Sequence, residues 1–160
     1  MWELASYVVT VIGLPMAIMF YILDRLKQRA QEEEETYLHL SDEYVGFMKL
    51  ALEHADLRLL DPKATIGLDE EQRTRKSVLF GILISLFERA YILTYTEQMR
   101  GADLRRWRSW EDWMREWCRR EDFRSAMAVH LAGEDPEFTL YLEALAKEEE
   151  EAVRTQASKV

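Results

Sequence analysis

Cysteine, proline, glycine and histidine are all scarce in this chain of 160 residues, and each scarcity removes a class of protein. The lone Cys118 excludes an intramolecular disulfide and a multi-cysteine zinc site, and it is compatible with a reducing compartment. Three prolines, six glycines and few Val or Thr runs leave little turn chemistry for an all-β fold; abundant Leu, Ala, Glu and Arg point to helix. Positive charge is in deficit, 21 Lys and Arg against 30 Asp and Glu for a net charge of -9, so a general nucleic-acid binder is not expected. His39, His54 and His130 lie on different expected elements without HExxH or Cys/His spacing, and Glu53, His54 and Asp56 are too close in sequence to face one another on a helix. There is no glycine-rich phosphate loop, no GxSxG and no recognisable pair of catalytic carboxylates. Arginines beside Cys118 favour a thiolate, but no histidine base is near in sequence, so a buried inert thiol is the expectation. The reading is a non-enzymatic protein without metal or cofactor.

One long uncharged run is present. Leu4 to Leu23 reads LASYVVTVIGLPMAIMFYIL, about 20 residues, enough as a helix to cross the ~30 Å hydrocarbon layer. Trp2, Tyr7 and Tyr21 fall where amphipathic rings prefer the headgroup boundary, and no signal-peptide pattern of basic start, short apolar core and small-x-small site accompanies the run. Arg25, Lys27 and Arg29 come immediately after it, whereas only Glu3 precedes; the positive-inside rule then leaves the N-terminus outside and the body in the cytosol. Ser6, Thr10, Gly13 and Ala17 form a stripe of small side chains suited to close helix packing in lipid, and Pro15 is expected to kink the helix.

The expected organisation is all-α: a transmembrane anchor over 1–24, a helical stalk over 25–40, a cytosolic bundle of about five helices over 41–147, and an acidic, frayed tail over 148–160. The acidic block Glu32 to Glu35 would hold the body off an anionic lipid surface. Ser41 is the expected cap of the first body helix, with Tyr44, Phe47, Met48, Ala51 and Leu52 inward. A loop over Asp61 to Leu68 precedes a capping-box start at Asp69 and Gln72. The helix from about Glu70 to Met99, apolar nearly all round between Ser77 and Phe87, reads as the core helix and ends at Gly101. Later helices are expected from Ser109, from about Glu121 to Gly133 with Phe123, Met127 and Leu131 inward, and from Asp135 and Pro136 with Phe138, Tyr141, Leu142 and Leu145 inward. No repeat of fixed period is apparent.

The segment LRRWRSWEDWMREWCRREDF stands apart. Trp107, Trp110, Trp113 and Trp117 lie within about 120° of one another on a helix, the pattern of a buried aromatic face. Arg105, Arg106, Arg108, Arg115, Arg119 and Arg120 concentrate positive charge that suits an anionic small-molecule ligand, because guanidinium forks grip phosphates and carboxylates. Acidic neighbours at helical spacing, Glu111 with Arg115 and Glu116 with Arg120, would cancel much of that field.

Together with the apolar start, the segments SDEYVGFMKLALEHADLRLLD, SVLFGILISLFERAYIL and WRSWEDWMREWCRREDF resemble a set of small uncharacterised bacterial single-pass membrane-anchored helical proteins, over most of residues 37–142. The resemblance implies an inner-membrane setting and one folded unit, and brings no activity or site residue with it. The leading functional expectation is a membrane-tethered module that recruits or regulates a protein partner at the cytosolic face of the bilayer, with homo-oligomerisation as part of that role. The alternatives are a ligand-sensing oligomeric effector or small pore and, third, an enzyme working at the membrane.

Overall fold

The first helix, α1, spans Trp2–Glu53 and is longer than the sequence led us to expect. The computed structural model describes the backbone of residues 2–157 and the side chains of residues 15–155. Within them α1 is followed by a 3-10 turn at Ala55–Leu57, then α2 (Glu70–Thr94), α3 (Gly101–Cys118), α4 (Glu121–His130) and α5 (Pro136–Ala157). The protein is an all-α bundle, with no strand among the described residues. Two compact units divide it, Met1–Leu38 and His39–Val160.

In the first unit α1 continues through Pro15, and residues 15–35 are exposed. The small side chains of Ser6, Thr10 and Gly13, expected to pack in lipid, and the first part of the Leu4 to Leu23 run lie outside the described side chains. Ala17 is exposed, as are Arg25, Lys27 and Arg29. Arg25 donates from Nε to the Tyr21 hydroxyl at 3.1 Å and lies over that ring, 5.4 Å from its centroid. Ser41 does not cap a helix: it sits inside α1, so the stalk and the first body helix are one element. No proline or glycine interrupts residues 24–45, and propagation of a formed helix adds a bond for each residue fixed, so a local capping residue does not suffice to break it.

In the second unit the core is aromatic. Leu40, Tyr44, Phe47 and Ala51 of α1 are buried with Phe80, Leu83, Ile84, Phe87 and Tyr91 of α2, and α3 adds Trp107, Trp110, Met114 and Trp117. Periodicity explains the choice, since each set recurs at three- or four-residue spacing and so shares one helix face. Phe123 and Met127 of α4 and Phe138, Leu142 and Leu145 of α5 complete it. The rings meet mainly edge to face: Trp110 to Trp113 at 4.9 Å and 86°, Phe80 to Phe123 at 5.3 Å and 87°. Tyr44 stacks on Trp113 at 4.3 Å and 15°. Such pairs add about 0.5–1.5 kcal/mol each beyond area burial.

Among the described residues, α2 is the one helix long and apolar enough to cross a membrane by length and composition, and 44% of its most apolar window is buried inside the protein. It lies mid-chain. Its start is a complete capping box, with Gln72 N donating to Asp69 Oδ1 at 2.8 Å and Asp69 N donating to Gln72 Oε1 at 3.1 Å. Its end comes at Thr94 rather than near Met99. Gly101, with φ of 60°, opens α3 instead of closing α2, and Ser109 is an interior residue whose hydroxyl donates to the Arg105 carbonyl at 3.5 Å. Asp135 caps α5 by accepting from Glu137 N and Phe138 N, both at 2.9 Å. The acidic run Glu148 to Glu151, expected to fray, is helical within α5, because Glu149 turns inward onto Arg115 of α3 and Arg119 just beyond its end.

Two substitutions test this packing by denaturant unfolding of the full chain in mild detergent. Trp110→Ala, at a side chain with no exposed surface, is expected to cost about 3–5 kcal/mol. Asp69→Ala removes only a cap and is expected to cost about 1 kcal/mol.

Candidate functional site

The chain leaves α3 at Cys118 and enters α4 at Glu121, and the two residues between them belong to neither helix. Both are arginines, and their side chains are used differently. Arg120 is almost fully buried, 3% exposed. Its Nε and Nη2 grip the two oxygens of Asp122 at 3.1 and 2.9 Å, a bidentate fork. Its Nη1 donates to the carbonyls of Leu59 at 3.0 Å and Arg58 at 3.3 Å, and to that of Asp61. Lys76 of α2 reaches the same Asp122 carboxylate at 3.1 Å, and the Thr65 amide donates to it at 3.4 Å. One buried cation thus ties the connection between α1 and α2 to the corner between α3 and α4. Burial by itself would raise the Asp122 carboxyl, but Arg120 and then Lys76 hold it below the ordinary carboxylate range.

Arg119 points the other way, donating from Nε to Glu149 Oε2 at 2.9 Å. Arg115 is shared among Glu111 at 2.9 Å, Glu148 at 2.8 Å and Glu149 at 3.2 Å. Burial opposes the charge on Glu149, yet Arg119 and Arg115 outweigh it and hold that carboxyl low. Glu111 also accepts from the Tyr141 hydroxyl at 3.0 Å, which accepts from Trp107 Nε1 at 3.2 Å. A ladder of polar contacts therefore runs along the α3–α5 seam from Trp107 to Glu149. Burial first, and then the Glu111 carboxylate, push the Tyr141 phenol up.

These partners correct the expectation of an arginine cluster for an anion. Arg115, Arg119 and Arg120 are spent on carboxylates and carbonyls of the fold, and Arg106 lies 3.5 Å from Asp103. Arg105 and Arg108 are exposed on α3. The six do not converge. Glu111 and Arg115 pair as expected, but Glu116 and Arg120 do not, because Arg120 has turned inward. Of the tryptophans, Trp107, Trp110 and Trp117 are buried and Trp113 is partly exposed. The Cys118 thiol is buried, as the sequence led one to expect of an inert thiol, and pushed up to about 12 by that burial, with Glu149 adding to it against Arg124 and Arg115.

The corner shapes a cavity of about 410 Å³ within the second unit. Tyr44 and Met48 of α1, Leu59 to Pro62 of the connection, and Glu116, Trp117, Arg119 and Arg120 line it. Its floor is apolar and aromatic, and the Tyr44 hydroxyl there accepts from Trp117 Nε1 at 3.1 Å. Periodicity alone could not place Leu59, Leu60 and Pro62 in this wall, since they sit in a segment without a period. The Lys76–Asp122 pair, 46 residues apart, likewise has no local signature. Elsewhere His130 Nε2 lies 3.0 Å from Ser77 Oγ, His54 Nδ1 lies 3.3 Å from Arg75, and His39 lies 3.5 Å from Glu43. No group of three or more His, Cys, Asp or Glu is placed to hold a metal among the described residues.

No protein-family model, curated protein or solved structure matches the chain. The fold and the site define an all-α bundle with a mixed apolar and charged cavity.

Two measurements check the electrostatics. Asp122 has a lowered folded pKa, so its contribution is fully present above its unfolded pKa of about 3.9 and is lost as pH falls through the lower folded value. The melting temperature of the native chain should therefore fall between about pH 5 and pH 3 more steeply than that of Asp122→Asn. Cys118 should resist a thiol reagent at pH 8 in the folded protein and react fully in denaturant; fast labelling of the folded chain would contradict its burial.

Proposed function

We propose that this chain is a membrane-tethered helical module that recruits or regulates a protein partner at the cytosolic face of the bilayer, as part of a homo-oligomer. The observation that carries the tether is in α1. Residues 16–23 carry no charge, yet Met16, Ile18, Met19, Phe20, Tyr21, Ile22 and Leu23 are all between 47% and 61% exposed. A run of large apolar side chains left open on every side of a helix requires a covering, and a lipid layer supplies it for a run that extends back to Leu4. Arg25, Lys27 and Arg29 at its end favour the cytosolic side for the second unit. The membrane-sized α2 is a poorer tether, since its apolar side is already committed to Trp110, Trp117 and Phe123. For recruitment, the support is the cavity beside Trp117, an open recess of mixed apolar and charged lining on the second unit.

The test is isolation of the full-length chain from native membranes in mild detergent with determination of native mass. A complex heavier than the single chain, holding a stoichiometric partner, is expected. Recovery of the intact chain as a monodisperse monomer in the aqueous fraction of a detergent-free lysate after ultracentrifugation would overturn the proposal.

A further inference from the structure

One charged side chain lining the cavity is left without a partner among the described residues, and it identifies what the cavity would take. Asp61 pairs with Arg58 at 2.7 Å. Arg119 is neutralised by Glu149, and Arg120 by Asp122 and the loop carbonyls. Glu116 alone among the charged lining residues makes no hydrogen bond or ion pair through its carboxylate among the described residues. The reason is structural. Its natural partner one helical turn on is Arg120, which the corner turns inward, while Arg119 is drawn to α5. The charge of Glu116 reaches the cavity floor, where after burial it also acts to raise the Tyr44 phenol.

We propose that this cavity is a docking pocket for a basic side chain on an apolar segment of the partner, with Glu116 as its counter-ion. The inference rests on the recruitment reading above and gives its chemistry. The long apolar stem of Arg or Lys suits walls built from Met48, Leu59, Leu60 and Pro62. The cationic head then meets the uncompensated carboxylate of Glu116 at the lining that Tyr44 and Trp117 complete. Flanking apolar residues cover the exposed Leu60 at the rim. An anionic segment meets the opposite case, because the guanidinium groups nearby are already neutralised. At about 410 Å³ the cavity falls in the range of small-ligand sites, ample for one long side chain and part of its neighbours.

The experiment uses the full chain in nanodiscs of phosphatidylcholine, which carries no net charge, and three end-blocked fluorescent peptides: Leu-Leu-Arg-Leu-Leu and its twins with Gln or Glu in place of Arg. Fluorescence anisotropy should show the Arg peptide bound, the Gln twin about tenfold weaker, and the Glu twin unbound. Glu116→Gln should weaken the Arg peptide about tenfold and erase its advantage over the Gln twin. Asp112→Asn, which removes an exposed carboxylate of the same helix outside the cavity, should leave binding unchanged. Glu116 is exposed, so an unchanged melting curve confirms that its variant is folded. Equal binding of all three peptides, no binding of any, or equal effects of the Asp112 and Glu116 variants would reject the pocket. Recruitment is judged separately. A native partner retained by Glu116→Arg defeats the pocket and leaves recruitment standing; an Arg peptide bound through Glu116 by a chain that isolates without a partner does the reverse.

Discussion

A single buried guanidinium sets the geometry on which the second unit depends. Arg120 lies where α3 gives way to α4, and from there it satisfies Asp122 and three carbonyls of the segment after α1. Burying a charge costs several kcal/mol unless geometry and hydrogen bonds compensate it. Here Asp122 forks Arg120 while also meeting Lys76, the carbonyls take up the remaining Arg120 donors, and the Thr65 amide adds a further bond to Asp122. Such a network is demanding because each member fixes the others. It holds a connection of irregular backbone, including Arg58 at a left-handed φ of 50°, against the helices. Leu57 and Leu59 are thereby buried, while Leu60 and Pro62 are left to form the cavity wall.

Around that corner the remaining order comes from α3. One face carries the tryptophans into the core, and the adjoining seam brings Glu111 to the Tyr141 hydroxyl and Arg115, with Arg119 just beyond the helix, to the carboxylates of α5. Hydrophobic burial supplies most of the energy, and the polar ladder fixes the register of α5 on α3. The acidic end of α5 is helical for that reason: Glu149 has two arginines to meet, so a run that repels itself in isolation is held in place. The same diversion of arginines leaves Glu116 open to the cavity.

The sequence shows the helical class, the capping box at Asp69, the cap at Asp135 and the inward faces of Tyr44, Phe47, Phe123, Phe138 and Leu142, because each is a local pattern of three- or four-residue spacing. It misleads where a local signal meets a non-local force. Ser41 and Ser109 have the chemistry of caps but sit within helices that neighbouring turns and packing sustain. The arginines read as one cluster because composition cannot say which way a side chain turns; Arg120 and Arg119 are adjacent in sequence and opposite in use. Cys118 is the inert, buried thiol that the sequence suggests, because burial outweighs the arginines beside it. The cavity is not legible in the sequence, because Leu59 to Pro62 in its wall come from a segment with no period.

The functional proposal joins an uncovered apolar stretch on α1 to a recess whose shape depends on Arg120 and whose charge depends on Glu116. Hydrogen–deuterium exchange on the full chain, comparing the native protein with Arg120→Met, tests that dependence most directly. Exchange should quicken only over residues 57–66, where the amides of Asp61 and Thr65 are bonded, with the cores of α2 and α3 still protected. Unchanged exchange across that segment in a folded variant would contradict it, as would equal acceleration throughout the helices.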